Sequence, residues 1–273
     1  MSDRLVATAP PSRTNAVLGC WFRRSLVDRA AMRLFCLPYA GGSARIYRNW
    51  HDWVAPDLEV VAIELPGRGM HLRASPVDRM DVLVPALLEA MEPLLDRPFA
   101  FFGHSMGALV AFELSRVLAS SGGPTPVHLF ASAMRAPHLP SNACAFHTLT
   151  DRGLVDAVGA LNGTPPEVIE HSELLEILLP TLRADFHLSE TYRCPPIAPL
   201  QLPITVFGGL QDEGLTREDL EGWQAHTDGP CVVRLLPGDH FFIHEHEHLI
   251  TASIRSALTS CTASRGITPA AVV

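Results

Sequence analysis

The chain has 273 residues, 47% of them hydrophobic, which is enough to bury one large core in a single domain. Its formal net charge of −8 at pH 7 argues against a nucleic-acid partner, because such partners bind largely through phosphate neutralisation. All 21 basic residues are arginine, so Schiff-base chemistry on lysine and the lysine of a P-loop are excluded.

The two ends of the chain differ in composition from its middle. Residues 1–20 are rich in Ala, Pro and Ser, and residues 259–273 resemble them, so we expect flexible segments flanking a folded domain at 21–258. No signal-peptide pattern stands at the start, and no apolar run approaches the roughly 18 residues of a membrane span. With six cysteines and no Cys-x-x-Cys pair, we expect a reduced, cytoplasmic protein without a membrane partner.

Apolar strand patterns alternate with helical patterns through the middle of the chain. In chain order, strands are predicted at 33–38, 58–65, 99–103, 127–132, 204–209 and 231–238, and helices at 82–95, 107–120 and 245–258. This alternation favours an α/β fold with a mostly parallel sheet and helices on both faces. Residues 137–196 contain no convincing strand and are too many for an ordinary crossover. We interpret them as a helical insert that forms a lid.

The segment Gly103-His104-Ser105-Met106-Gly107 matches the pattern G-x-S-x-G. The pattern alone is weak, but here an apolar strand ends at Gly103 and an apolar helix begins near Gly107. This is the strand–turn–helix context of the nucleophile elbow in α/β-hydrolases. Such a turn presents its serine at the carboxyl ends of the strands, where open α/β sheets bind ligands. We therefore predict that Ser105 is a nucleophile rather than an ordinary helix N-cap, and that His104 is a packed neighbour.

A serine hydroxyl needs a base to accept its proton, and in this type of elbow an acid and then a histidine follow the serine in the chain. Asp212 and His240 each follow the end of a late strand, on the sheet edge where Ser105 is predicted. His240 is the predicted base and Asp212 the predicted acid that orients it. Glu213 is the alternative acid, although Asp212 lies nearer the end of its strand.

His244, Glu245 and His248 also match H-E-x-x-H, the signature of a zinc protease. A site of that kind needs a third protein ligand, usually downstream, and no His, Glu or Asp follows His248. Glu245 and Glu247 are explained by their position near the start of a helix, where the helix dipole favours negative charge. We therefore expect neither a metal nor an organic cofactor.

Acyl transfer requires two donors for the oxyanion of the tetrahedral intermediate. One is expected from the backbone N–H of Met106, the residue after the nucleophile. The other should come from the loop LPYAGGS after the first strong strand, whose small residues let a substrate approach the backbone. We assign it to the N–H of Ala40, with Tyr39 and Gly41 as one-residue alternatives.

Two further groups of residues have open interpretations. The turn LPGRGMHLR carries Arg68 and Arg73, which we interpret as solvated side chains, with contact to an acidic carrier protein or a phosphate as the alternative. Trp50 and Trp53 stand at helical spacing and are interpreted as core residues rather than as a surface for stacking substrate.

The segments RLFCLPYAGGSARIYRNW, VVAIELPGRGMHLR, FAFFGHSMGALVAFEL, GGLQDEGL and LPGDHFFI occur in that order. In this combination the chain resembles the type II thioesterases of polyketide and nonribosomal peptide biosynthesis, from about residue 20 to 258. The resemblance places the nucleophile, acid and base on Ser105, Asp212 and His240. It implies an enzyme that removes stalled or wrong acyl groups from the phosphopantetheine arm of acyl or peptidyl carrier proteins. A general carboxylesterase, a chain-releasing cyclase and an inactive carrier-binding scaffold are the alternatives.

Overall fold

The computed structural model describes residues 21–25, 27, 30–140, 145–161, 172–196 and 198–265, with side chains described up to residue 260. The predicted N-terminal segment 1–20 and residues 266–273 lie outside these ranges. The strands are β1 (Phe22–Arg24), β2 (Met32–Leu37), β3 (Leu58–Ile63), β4 (Phe99–His104), β5 (Leu129–Ser132), β6 (Ile204–Gly209) and β7 (Cys231–Leu236). The α-helices are α1 (Trp50–Val54), α2 (Met80–Met91), α3 (Met106–Ser120), α4 (Asp151–Ala160), α5 (Ser172–Thr191), α6 (Arg217–Glu221) and α7 (Glu247–Arg265).

The strands form one sheet in the order β1-β3-β2-β4-β5-β6-β7. All neighbouring strands are parallel except β1, which pairs antiparallel with β3. Every residue of β2, β3, β4 and β5 is buried, because helices cover both faces of the sheet. The predicted mostly parallel α/β sheet is confirmed. β1 was not predicted, because its three residues include one buried side chain and no apolar run.

Two apolar layers hold the sheet between helices. One layer packs α2 and α3 against one face and contains Leu87, Phe101 and Phe112. The other contains Trp50 of α1 and Phe102, together with apolar residues of α7. Trp53 does not join that core: its ring lies beside His248 and is 49% exposed, so the prediction that it is a core residue is wrong.

The predicted helical insert lies between β5 and β6. Its described residues contain a short 3₁₀ helix (Phe146–Thr148) followed by α4 and α5, while 141–144 and 162–171 lie outside the described ranges. Leu154, Val158 and Leu182 bury one another in a small separate cluster. The insert therefore carries apolar packing of its own, and no described helix in it or elsewhere is long and apolar enough to cross a membrane.

Helix α7 continues to Arg265, beyond the predicted end at residue 258. The hydroxyls of Thr259 and Ser260 donate to the carbonyls of Arg255 and Ser256, one turn earlier. Hydroxyl side chains can make such bonds inside a helix, so a Ser- and Thr-rich stretch does not by itself end one. The predicted flexible tail at 259–273 therefore overlaps the last residues of α7, and its flexibility stays a prediction.

Buried histidines, among them His104 and His128, make the stability of this core depend on pH. Burial lowers the pKa of His128 from 6.5 to about 4. Burial, reinforced by the nearby His240, also lowers the pKa of His104 well below its usual value. Below about pH 6.5 the unfolded chain binds a proton on each histidine, whereas the folded chain does so only at lower pH. The free energy of unfolding should therefore fall as the pH drops from about 6.5 towards 4, by up to about 1.4 kcal/mol per pH unit for His128.

Thermal melting at pH 7.5 and pH 5 tests this dependence. The parent should lose more stability between the two pH values than His128→Gln, which has no group to titrate there. His51→Gln, which replaces a partly exposed histidine of α1, serves as the matched control for the loss of an imidazole outside the buried core. An identical loss in the parent and in His128→Gln would contradict the assignment of a buried, neutral His128.

Candidate active site

Ser105 occupies a sharp turn between β4 and α3. Its backbone lies at φ 54° and ψ −123°, a strained conformation for a residue with a side chain. The flanking glycines permit this geometry: a Cβ on Gly103 would lie 2.1 Å from the carbonyl oxygen of Gly107, and one on Gly107 would lie 2.3 Å from that of Leu37. The turn is held by a 2.7 Å hydrogen bond from the Ser105 N–H to the carbonyl of Ser132. The G-x-S-x-G segment is therefore a true elbow, with its serine at the end of β4.

The structure brings the three predicted residues Ser105, His240 and Asp212 into one hydrogen-bonded chain. The Nε2 atom of His240 lies 3.0 Å from Oγ of Ser105, and its Nδ1 lies 2.8 Å from Oδ2 of Asp212. A carboxylate only accepts, so Nδ1–H donates to Asp212 and the Nε2 lone pair faces the serine hydroxyl. The other carboxylate oxygen accepts the N–H of Gly214 at 3.0 Å, which fixes the acid. This is the arrangement that a serine nucleophile, its base and an orienting acid require.

Glu213, the alternative acid, lies on the exposed side of the same loop. Within the described residues it forms no hydrogen bond or ion pair with His240, whereas Asp212 is buried against that ring with a side chain only 5% exposed. The geometry therefore favours Asp212 over Glu213.

Hydrogen bonds in the loop after β2 exclude one of the candidate oxyanion donors. The N–H of Gly41 donates to Oδ2 of Asp185 at 2.7 Å, so it is not free to bind a substrate oxygen. In the part of the chain that the structure describes, the N–H of Ala40 has no acceptor. Met106 is the first residue of α3, where a backbone N–H has no partner inside the helix. The described hydrogen bonds thus leave the N–H groups of Ala40 and Met106 available as donors, and their role stays a prediction, with Tyr39 as the remaining alternative in the loop.

His104 connects the elbow to the loop that carries the base. It is fully buried, and its Nε2 lies 2.8 Å from the carbonyl oxygen of His240 while its Nδ1 lies 2.9 Å from Oγ of Ser132. The carbonyl can only accept, so Nε2–H donates to it and Nδ1 accepts the Ser132 hydroxyl. The prediction that His104 is a packed neighbour of the nucleophile is confirmed. No pattern in the sequence predicted its two hydrogen bonds.

The three residues open into a cavity of about 580 Å³ beneath the helical insert. Its volume falls within the range of small-molecule sites, and apolar side chains from α3, from the loop after β5 and from the insert form much of its wall. That apolar lining comes from Leu109, Ala133, Met134, Phe146, Leu161 and Phe186. The cavity can therefore hold an acyl chain with its carbonyl next to Ser105.

The H-E-x-x-H residues do not converge on a metal site. The Nε2 atom of His244 lies 3.0 Å from the hydroxyl of Tyr39, whereas the ring of His248 packs beside Trp53. Among the described residues there is no group of three His, Cys, Asp or Glu side chains that could hold a metal ion.

Both sequence-based interpretations of Arg68, in the turn after β3, are wrong. It is neither solvated nor free to meet a partner, because it is 3% exposed and forms a bidentate ion pair with Asp185 of α5. Arg73, by contrast, is exposed as predicted. Asp185 lies 117 positions from Arg68 in the sequence, so no local pattern predicted this ion pair.

Comparison with known proteins gives consistent matches in sequence and in structure. The family profile "Thioesterase domain" matches residues 32–258. The gramicidin S biosynthesis protein GrsT of Aneurinibacillus migulanus is 41% identical over 84% of this chain and 90% of its own length. Thioesterase PikA5 of Streptomyces venezuelae is 35% identical over 95% of this chain and 92% of its own. The structure of the type II thioesterase BorB from the borrelidin biosynthetic cluster superposes with a TM-score of 0.81 at 35% identity, covering 88% of this chain and 98% of BorB.

Proposed function

Because the chain belongs to the thioesterase domain family, we propose that it is a type II serine thioesterase of polyketide or nonribosomal peptide biosynthesis. It hydrolyses acyl thioesters on the phosphopantetheine arm of acyl or peptidyl carrier proteins. The observation that carries this proposal is the hydrogen-bonded chain from Ser105 through His240 to Asp212 in the wall of a cavity with a partly apolar lining. The likeness to BorB and GrsT supports the biosynthetic setting.

The first half of the reaction transfers the acyl group to the enzyme. His240 takes the proton of Ser105 on Nε2 as Oγ attacks the thioester carbonyl, and Asp212 stabilises the imidazolium that forms. The N–H groups of Ala40 and Met106 bind the oxyanion. When the tetrahedral intermediate collapses, the C–S bond breaks and His240 returns its proton to the leaving sulfur. A thiol, with a pKa of about 8.5, leaves easily.

The second half releases the acid. His240 removes a proton from a water molecule, which attacks the acyl ester on Ser105, and the oxyanion again lies against the same two N–H groups. Collapse breaks the ester bond, Ser105 regains a proton from His240, and the carboxylic acid leaves. The two steps consume one water and need only groups of this chain.

We also propose that residues 21–258 form one domain with a helical lid, and that the protein is located in the cytoplasm. Residues of the helical insert line the cavity around Ser105. We propose that the insert acts as a lid over this cavity and that the cavity receives the thin arm of a carrier protein. Binding energy from the carrier surface, remote from the carbonyl, can then help to place it. A general carboxylesterase would show no preference for a carrier, and an inactive scaffold would have no use for a complete Ser–His–Asp chain.

Carrier recognition is tested by comparing kcat/KM for a propionyl carrier protein with that for the propionyl thioester of N-acetylcysteamine. The carrier substrate should be preferred at least about tenfold, because its surface contributes about 1.4 kcal/mol or more to binding in the transition state. Propionyl-pantetheine, which has the arm without the carrier, serves as the intermediate control. Equal values for all three substrates would point to a general esterase instead.

A further inference from the structure

A buried ion pair joins the helical insert to the body of the protein. The Nη1 atom of Arg68 lies 2.7 Å from Oδ2 of Asp185, and its Nη2 lies 2.7 Å from Oδ1. Arg68 follows β3, whereas Asp185 lies in α5, and the two residues are 3% and 1% exposed. A buried ion pair often adds no more to the free energy of unfolding than apolar residues of the same volume would, because both charges lose their hydration. Stability is therefore a weak explanation for this pair. The contacts of the pair with the loop after β2 indicate a second role.

The pair also holds two consecutive residues of the loop after β2. Asp185 accepts the N–H of Gly41 at 2.7 Å through the same oxygen that binds Arg68, and Arg68 donates to the carbonyl of Gly42 at 3.0 Å. One carboxylate and one guanidinium thus bind the backbone at the two ends of the Gly41–Gly42 pair. The residue before Gly41 is Ala40, whose N–H is the proposed oxyanion donor. The ion pair therefore fixes the peptide adjoining that donor.

Helix α5 lies directly on this loop and on the turn after β3. A Cβ added to Gly41, which has φ +75°, would lie 2.5 Å from a methyl carbon of Leu182 in α5. One turn before Asp185, the hydroxyl of Thr181 donates to the carbonyl of Gly67 at 2.8 Å. The loop can keep its conformation against α5 only while the helix stays in this position.

We propose that Asp185 is a positioning residue for the oxyanion hole. It ties the helical insert to the loop so that the N–H of Ala40 points at the substrate oxygen when α5 is seated. The proposal rests on the proposed function, since it takes Ala40 as a donor. It adds that the insert helps to assemble the hole as well as to cover the cavity. An oxyanion donor must be placed before the reaction, so looser placement weakens binding of the transition state more than binding of the substrate.

The variant Asp185→Asn tests this role, because an amide keeps the size of the side chain but removes the charge that binds Gly41 and both nitrogens of Arg68. Hydrolysis of the propionyl thioester of N-acetylcysteamine should show kcat about 10- to 100-fold lower, with KM changed less than about threefold. Complete removal of one oxyanion donor costs about 10²- to 10³-fold, so a displaced donor should cost less. Inhibition by an alkylboronic acid, whose tetrahedral adduct on Ser105 places an oxygen in the hole, should weaken in parallel with kcat.

Two comparison variants separate positioning from stability. Asp151→Asn removes another ion pair of the helical insert, at 2.6 Å from Arg183, and should leave kcat and boronic-acid inhibition unchanged. Asp185→Glu keeps the charge and should recover part of the lost kcat. If Asp185→Asn does not fold, Arg68→Lys replaces it, since lysine keeps the charge but not the bidentate contact, and the same selective loss of kcat is expected.

The proposal is overturned if a folded Asp185→Asn melts at a lower temperature yet keeps the parent's kcat and boronic-acid affinity. An increase in KM at constant kcat would overturn it as well. Running p-nitrophenyl butyrate beside the thioester separates this outcome from failure of the proposed function. A parent that cleaves the ester but not the thioester contradicts the proposed function, while the kcat of Asp185→Asn on the ester still decides the role of Asp185.

Discussion

Replacement of Ser105 by alanine is expected to lower kcat for thioester hydrolysis by about 10⁵- to 10⁶-fold. Removal of the nucleophile in a serine protease costs about that much, because no covalent intermediate can form and only the oxyanion hole and substrate binding remain. The strained backbone at φ 54° stays the same for serine and alanine, since both carry a Cβ. Ser105→Ala should therefore fold and melt like the parent.

The measurement combines steady-state hydrolysis with labelling by a fluorophosphonate and a thermal melt. Ser121→Ala, at the far end of α3, is the matched control and should keep parental activity and labelling. Residual hydrolysis by Ser105→Ala within tenfold of the parent would remove Ser105 from the role of nucleophile. A parent that no fluorophosphonate labels would instead support the inactive scaffold.

The second large effect is expected at the acid. Asp212→Asn should lower kcat about 10⁴-fold, the loss seen for the equivalent change in a serine protease. An amide nitrogen facing Nδ1 of His240 favours the tautomer with its proton on Nε2, so the lone pair that accepts the proton of Ser105 is lost. Glu213→Gln should cost little, because Glu213 is exposed and makes no described contact with His240.

The two variants change neighbouring residues in the same way, so each serves as the control for the other. Their kcat values on one thioester, with melting temperatures to verify folding, give the ranking directly. A larger loss in Glu213→Gln than in Asp212→Asn would move the orienting acid to Glu213 and would contradict the 2.8 Å contact with His240.

Features that depend on local patterns or chain order were predictable from the sequence. Strand β6 has the predicted bounds, because its apolar run ends in two glycines. The location of Ser105, Asp212 and His240 at one edge of the sheet was also predictable, because the carboxyl ends of parallel strands lie on the same side. Each of the three residues follows such an end.

Features that depend on contacts between distant segments were not predictable. Arg68 stands in a Gly-rich turn that is typical of a surface, and only the fold brings Asp185 against it from 117 positions away. The bonds of His104 to Ser132 and to the carbonyl of His240 likewise join separate segments. Such contacts leave no local periodicity and no motif in the sequence, so they become visible only in the folded chain.

The most direct test of the central claim is the intact mass of a propionyl carrier protein after incubation with a catalytic amount of this enzyme. The parent is predicted to remove the propionyl mass and leave the phosphopantetheine arm in place, while Ser105→Ala leaves the carrier acylated. A carrier that stays fully acylated in the presence of parent enzyme that hydrolyses p-nitrophenyl butyrate would contradict the assignment as a carrier-directed thioesterase.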